Sequence, residues 1–390
     1  MNAPEAGMTT EVDSPNWFEV LDPSELPSPS LLIYRERLEY NLGRMLEVAG
    51  GPQRLRPHIK THKMRPLVER QLALGITKFK CATLAEAAMA AAAGAPDLLL
   101  AYQPVGPAAR ELAKLVVAFP GTGFSTIVDD ASALESLSQA FASFIRDRGA
   151  PPELTIEVLL DLDIGQRRTG VPIGPRAFDL YRRLTSTPHL KPGGLHAYDG
   201  HIGDTDLVKR TAACEEGFRP VTTFRRELES AGLLVPRVVA GGSPTFPIHA
   251  RRGDVECSPG TCVFWDAGYS RKLPDQDFKP AALVLTRVIS KPGINRLCLD
   301  LGHKAIASEM PQPRAEFLNL PDAKAVAHNE EHLVIETDKA DQFRIGDLLY
   351  ALPWHICPTV ALHSAATVIE KGKPAARWPV AARDRDVRCS

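Results

Sequence analysis

From residue 30 to about 240 the chain repeats one rhythm, a short β-like run followed by a longer amphipathic stretch. The strand candidates are Leu31–Tyr34, Arg54–Lys60, Lys78–Ala82, Leu98–Tyr102, Thr126–Val128, Leu154–Leu160, Gly194–Ala197 and Arg237–Ala240. Between them Arg35–Ala49, Arg65–Leu74, Leu84–Ala93, Ala108–Ala118, Ala131–Arg148, Pro175–Thr185 and Asp206–Ala231 read as helices. Eight strands, nearly every one followed by a helix, predict an α/β fold of the (β/α)8 TIM-barrel type. An open doubly wound sheet is the alternative, but it wants a GxGxxG turn after an early strand, and none is present there. Past about residue 265 the rhythm ends. Prolines and glycines multiply, and β-like runs at Ala282–Ile289, Arg296–Leu299, His332–Glu336 and Leu348–Leu352 follow without a clear amphipathic helix. The expectation is a barrel over 28–265 and a β-rich C-terminal domain over 266–390, joined by the proline-rich lead-in 1–27.

Composition narrows the function. A chain of 390 residues with 44% hydrophobic content can bury a sizeable core. Its 46 Lys+Arg against 47 Asp+Glu give no support to nucleic-acid binding, which runs on excess cations. No run of ~18 apolar residues offers a membrane span, and the acidic, polar start carries no signal-peptide pattern. The seven cysteines are scattered without CxxC spacing, which argues against a disulfide framework or zinc ribbon and for a reducing compartment. A cytoplasmic enzyme is expected.

Two motifs carry chemistry. In Arg56-Pro57-His58-Ile59-Lys60-Thr61-His62-Lys63, strand alternation puts Arg56, His58 and Lys60 on one face, and buried charges need partners. A partly desolvated lysine at the carboxyl end of a barrel strand, crowded by cations, can form a Schiff base; a solvated basic loop is the plainer reading. After the last strand, Gly241-Gly242-Ser243-Pro244-Thr245 offers backbone N–H groups and hydroxyls to an anion. Ser258-Pro259-Gly260-Thr261 could complete the cup, although Gly-Gly-Ser also makes ordinary turns. A lysine on the second strand and a phosphate cup after the eighth suit an aldehyde-bearing phosphate cofactor, pyridoxal 5′-phosphate.

These residues resemble the D-threonine aldolase/D-serine dehydratase family of fold-type III pyridoxal-phosphate enzymes, related to alanine racemase. The resemblance runs from about 28 to 385, and His58-Ile-Lys60-Thr-His-Lys63 is its most specific element. It implies that Lys60 is the Schiff-base lysine and that Arg168, within Asp163–Val171, reaches the cofactor ring oxygen. It also implies that Tyr198 and His201 stand against cofactor or substrate. His355 and Cys357 lie at i and i+2, where an extended strand would let imidazole and thiolate pinch one ion. The resemblance implies a divalent metal there, zinc or manganese, beside substrate oxygen and water. Asp266, Tyr269, Asp300, His303 and Lys304 match family stretches but read as structural.

The implied substrate is a small D-3-hydroxy-α-amino acid, and the implied assembly a homodimer. Breaking Cα–Cβ would be D-threonine aldolase-type retro-aldol cleavage to glycine and an aldehyde. Breaking Cα–H with loss of hydroxide would be the D-serine or D-3-hydroxyaspartate dehydratase reaction. Tyr198-x-Gly200, Asp266-Ala-Gly-Tyr269 and Trp378-Pro-Val-Ala-Ala-Arg383 look like the aldolases; His355-x-Cys357 and Ser258-Pro-Gly260 look like the dehydratases. A metal-free racemase and a non-catalytic cofactor-binding protein are the readings from other classes.

Overall fold

The computed structural model describes residues 15–387; the acidic start and Cys389 lie outside them. The chain forms two compact units. One takes in the chain up to Met45, Thr61–Lys63 and Thr261–Arg383; the other holds Leu46–Lys60 and Met64–Gly260.

The strand expected to open the barrel, β1 (Ser30–Tyr34), lies in the first unit instead. It pairs antiparallel with Ala282–Gly293 and parallel with Ala365–Glu370. Leu31, Leu32 and Ile33 are buried on both faces, so the local pattern is the one a barrel strand would also show.

In the second unit β2 (Lys78–Cys81), β3 (Asp97–Leu100), β4 (Gly123–Val128) and β5 (Ile156–Asp163) run parallel. β6 (Val171–Pro172) adds to the end of β5, and β7 (Leu190–Ala197), β8 (Val238–Ala240) and β9 (Glu256–Cys257) continue the sheet. Single bridges Leu55↔Cys257 and His58↔Lys80 close the ring. The Arg54–Lys60 strand is thus irregular. Arg56 N–H donates to the Cys257 carbonyl and His58 N–H to that of Pro259, while Pro57 has no N–H to give. A short helical turn, Ile59–Thr61, follows at once. The two-residue β9 supplies the eighth barrel position, which β1 vacates. Leu99, Ile127, Leu159 and Val239, one from each of four strands, meet inside the barrel.

The helices form where periodicity placed them, Arg35–Ala49 and Ala131–Arg148 with the expected bounds. Asp130 and Asp206 cap theirs by accepting backbone N–H groups from Ser132 and from Val208 and Lys209.

The first unit is a mixed sheet. Its order is β13 (Lys324–His328), β14 (Leu333–Glu336), β11 (Arg296–Leu299), β10 (Ala282–Gly293), β1, β16 (Ala365–Glu370) and β17 (Lys373–Pro379). β15 (Leu348–Pro353) pairs with β10 and with β12 (Ala315–Phe317). Phe18, Val20 and Leu26 of the lead-in pack against Leu32, Tyr34 and Tyr350 of this sheet. Among the described residues no helix is long and apolar enough to cross a membrane, and the six described cysteines are free.

Candidate active site

The inward cations of the second barrel segment find separate fates. Arg56 is fully buried and turns to the amino-terminal end of the barrel. There it makes a bidentate pair with Asp97 (2.7 and 2.8 Å) and a third bond to Glu256 (2.7 Å). Lys78 Nζ binds the other oxygen of Glu256 at 2.6 Å. Asp97, Lys78 and Glu256 begin β3, β2 and β9, so this network plugs the bottom of the ring and satisfies the charges that burial would otherwise penalise.

His58 and Lys60 belong to the opposite end, where barrel enzymes place their chemistry. They line a cavity of about 500 Å³ with Tyr102, Asp129, Asp161 and Arg168. Tyr198, just past β7, is its organising ring. Lys60 Nζ lies 5.9 Å from the ring centroid, Lys80 Nζ 5.6 Å and the Arg168 guanidinium carbon 5.1 Å. Three cations around one phenol make a site for a flat, anionic molecule. His201 is exposed and touches the Asp163–Val171 loop: a Cβ added to Gly165, whose φ is +122°, would come within 2.9 Å of its Nε2.

The glycine turn after β8 meets the same ring. A Cβ at Gly242 would stand 3.2 Å from Tyr198 Cε2, and one at Gly241, with φ +77°, would stand 2.7 Å from His249. Backbone can therefore approach here where side chains cannot. Ser243 and Thr245 are buried, and Gly260 N–H donates to Ser243 Oγ at 3.3 Å. The loop is braced from below. Asp199 accepts from Thr245 Oγ1 and from His249 Nε2, both at 2.8 Å, and Gly242 N–H donates to Thr245 Oγ1 at 3.3 Å. Cys214 completes a buried Asp199–Cys214–His249 set close enough to hold a metal ion. Burial and Asp199 push the Cys214 thiol up to about 12. The imidazole and carboxylate, bonded to each other, brace the loop. This combination of glycine cradle, hydroxyls and cations fits pyridoxal 5′-phosphate.

Two participants escaped sequence reasoning. Lys80 is 2% exposed; burial, reinforced by Lys60, lowers its pKa to about 7 against the pull of Asp199 and Asp161. The alternation Lys78-Phe79-Lys80-Cys81 was the available signal, because it turns both lysines inward. His196 donates Nδ1–H to Asp161 at 2.6 Å. Its buried Nε2 has no hydrogen-bond partner among the described residues. Burial lowers its pKa despite Asp161, which leaves a neutral imidazole in the barrel.

The first unit holds the other candidates. His355 and Cys357 do not share an extended strand. β15 ends at Pro353, His355 caps the helix Ile356–Leu362, and Cys357 sits in its first turn. Asp266 draws the chain into that turn by accepting Ile356 N–H at 3.0 Å, while it also caps its own helix at Tyr269. Asp266 thus ties the two helix starts together, and burial raises its pKa to about 6. Imidazole and thiol still face each other. Burial opposes the charged imidazole of His355, yet Cys357, Glu309 and Asp266 push it up to about 9. Cys357 Sγ lies 3.2 Å from Thr61 Oγ1 and 3.4 Å from Thr261 Oγ1. Thr261, expected in the phosphate cup, therefore has its hydroxyl on the sulfur. Asp300 accepts from Ser28, Thr286 and the Arg287 backbone; His303 meets Arg314, and Lys304 meets Glu330 and Glu331.

Comparison with known proteins agrees with both halves. The family model for the alanine racemase N-terminal domain matches residues 33–267, and one described as a serine dehydratase domain matches 281–369. A D-threonine aldolase from Arthrobacter sp. is 30% identical over 92% of this chain and 93% of its own length. The chain belongs to the D-threonine aldolase family. It is thus an enzyme of the pyridoxal-phosphate-dependent aldolase and dehydratase type, on an alanine racemase-like barrel with a separate mixed-sheet domain. A D-threo-3-hydroxyaspartate dehydratase from Delftia sp. is 28% identical over 90% of this chain and 97% of its own length. The crystal structure of a Filomicrobium marinum D-threonine aldolase superposes with a TM-score of 0.83 at 27% identity, covering 92% of this chain and 95% of that one. A cysteine-to-alanine variant of a D-threo-3-hydroxyaspartate dehydratase, solved in a metal-free form, covers 91% of this chain and 97% of that one at 26% identity, with a TM-score of 0.77.

Proposed function

We propose that the protein is a lyase that cleaves small D-3-hydroxy-α-amino acids to glycine and an aldehyde, in the manner of a D-threonine aldolase. The observation that carries this reading is the placement of Lys60 and Arg168 around Tyr198, with the Gly241–Thr245 cradle against the same ring. Pyridoxal 5′-phosphate bound there supplies an electron sink for the bond broken at Cα. Lys60 gives the amine that anchors the cofactor's aldehyde and stands as the base for a proton at Cα. The Gly241–Thr245 turn, with the Ser243 hydroxyl and the neighbouring Gly260 turn, would hold the phosphate, Thr245 bracing the turn through Asp199, and Arg168 would serve the ring oxygen. Tyr198 would support the ring with His58 at the cavity wall, and His201 is proposed to exchange a proton with substrate.

His355 and Cys357 are proposed as ligands of a divalent ion, zinc or manganese, which acts as a Lewis acid toward the substrate hydroxyl. The sulfur donor supports zinc over manganese. A second reading is dehydration to a keto acid and ammonia, supported by the likeness to a protein named as a D-threo-3-hydroxyaspartate dehydratase. We further propose a homodimer, with the barrel unit Leu46–Lys60 and Met64–Gly260 as cofactor holder. A cytoplasmic location is supported by the six free thiols.

The deciding experiment incubates the purified enzyme with D-threonine, D-serine and D-3-hydroxyaspartate, with and without Zn²⁺ or Mn²⁺. Glycine is the expected product. Ammonia in its place moves the assignment to the dehydratase, and no product from any D-isomer refutes both.

A further inference from the structure

We infer that Glu309 is the positioning residue of the proposed metal centre, gripping His355 from behind so that Nε2 becomes the donor atom. The inference rests on reading His355 and Cys357 as ligands. Glu309 Oε1 lies 2.5 Å from His355 Nδ1. A carboxylate at that distance takes the Nδ1–H, which leaves Nε2 as the nitrogen that would give up its proton to a metal. The imidazole then offers a metal its other edge. A histidine that ligates a metal usually gives its second N–H to such an acceptor, which orients the ring and raises its basicity.

Stability does not explain the pair. Both side chains are nearly half exposed, 47% for Glu309 and 43% for His355, and exposed ion pairs contribute little to folding. Orientation is what the contact supplies. The second donor is held in the same way, with the Thr61 and Thr261 hydroxyls on the Cys357 sulfur. All five residues lie in one unit, so this support does not depend on the barrel. The segment carrying Glu309 is anchored to the helix of Cys357, because Ala307 N–H donates to Thr359 Oγ1 at 3.1 Å. Thr359 in turn donates to the His355 carbonyl at 2.8 Å.

The test is a zinc titration of chelator-stripped holoenzyme against a chromophoric competitor, for wild type, Glu309→Ala, Glu309→Gln and His355→Ala. Glu309→Ala should bind zinc about 10- to 100-fold more weakly. Glu309→Gln should lose less, since its amide oxygen still accepts the Nδ1–H. Retained cofactor absorbance checks that each variant is folded. Equal affinity in wild type and Glu309→Ala overturns the inference and leaves the metal assignment standing. A glutamine variant as weak as the alanine variant also overturns it, because the carboxylate would then be a ligand itself. Wild type that takes up no zinc overturns the assignment of His355 and Cys357, and the inference with it.

Discussion

A lysine side chain buried inside a barrel can lower its cost by pairing with a carboxylate or by giving up its proton. Lys80 has Asp161 and Asp199 near it, yet burial and Lys60 still bring its pKa to about 7 from 10.5. Between those two values the unfolded chain keeps a proton that the folded chain lacks, so stability rises with pH through that window. Below the folded pKa the whole penalty is present. Lys80→Met should therefore stabilise the fold by several kcal/mol below neutral pH, a scale set by about 1.4 kcal/mol per pKa unit. The gain should fade as pH climbs towards the unfolded value. The carboxylates left behind keep other partners, His196 for Asp161, and Thr245 with His249 for Asp199. Urea midpoints at about pH 6 and about pH 9 measure the difference; an equal gain at both would sink the idea. Lys60 was read as a candidate from the residues around it, whereas Arg168 entered only through the family resemblance. Lys80 and His196 lie in plain strands, where only side-chain parity hints at them. Glu309 had no signal, because its partner is 46 residues away.

Local periodicity found the helices because an amphipathic helix carries its evidence within its own span. Sheet membership carries none. β1 reads like a barrel strand, yet its partners lie some 250 and 335 residues downstream. β9 is two residues long, too short for any pattern, and the Leu55–His58 segment is broken by Pro57 and tied by single bridges. His355 and Cys357 were placed on a strand because a backbone hydrogen bond to Asp266, which starts the helix there, is invisible in the local sequence. The charged plug, by contrast, followed from physics: three inward cations demanded partners, and Arg56 has Asp97 and Glu256. Arg56→Met removes the shared cation and leaves those two carboxylates with Lys78 and Arg237 as nearby charges. Breaking a buried network from one side costs about 3–5 kcal/mol. A urea midpoint unchanged from wild type would show that the plug does not hold the ring closed.

The chain keeps its two sets of candidate ligands in different compact units. The cofactor donors Lys60, Arg168, Tyr198, Gly241–Thr245 and Gly260 fall in the unit built from Leu46–Lys60 and Met64–Gly260, whereas His355, Cys357 and Glu309 fall in the other. The hydrogen bonds that brace the glycine loop run through Asp199, His249 and Thr245. The two groups should then be separable. Chelation, or His355→Ala, should strip the metal and the activity while the bound cofactor keeps its visible absorbance. Lys60→Ala should do the reverse, abolishing the band that borohydride bleaches while zinc content stays at the wild-type level. Metal by elemental analysis and cofactor by absorbance, taken on the same samples, read the two outcomes independently. Loss of cofactor colour on chelation would mean that the metal holds the cofactor site together, and the division of labour between the units would have to be redrawn. Full turnover in a sample shown to be metal-free would remove His355 and Cys357 from the reaction.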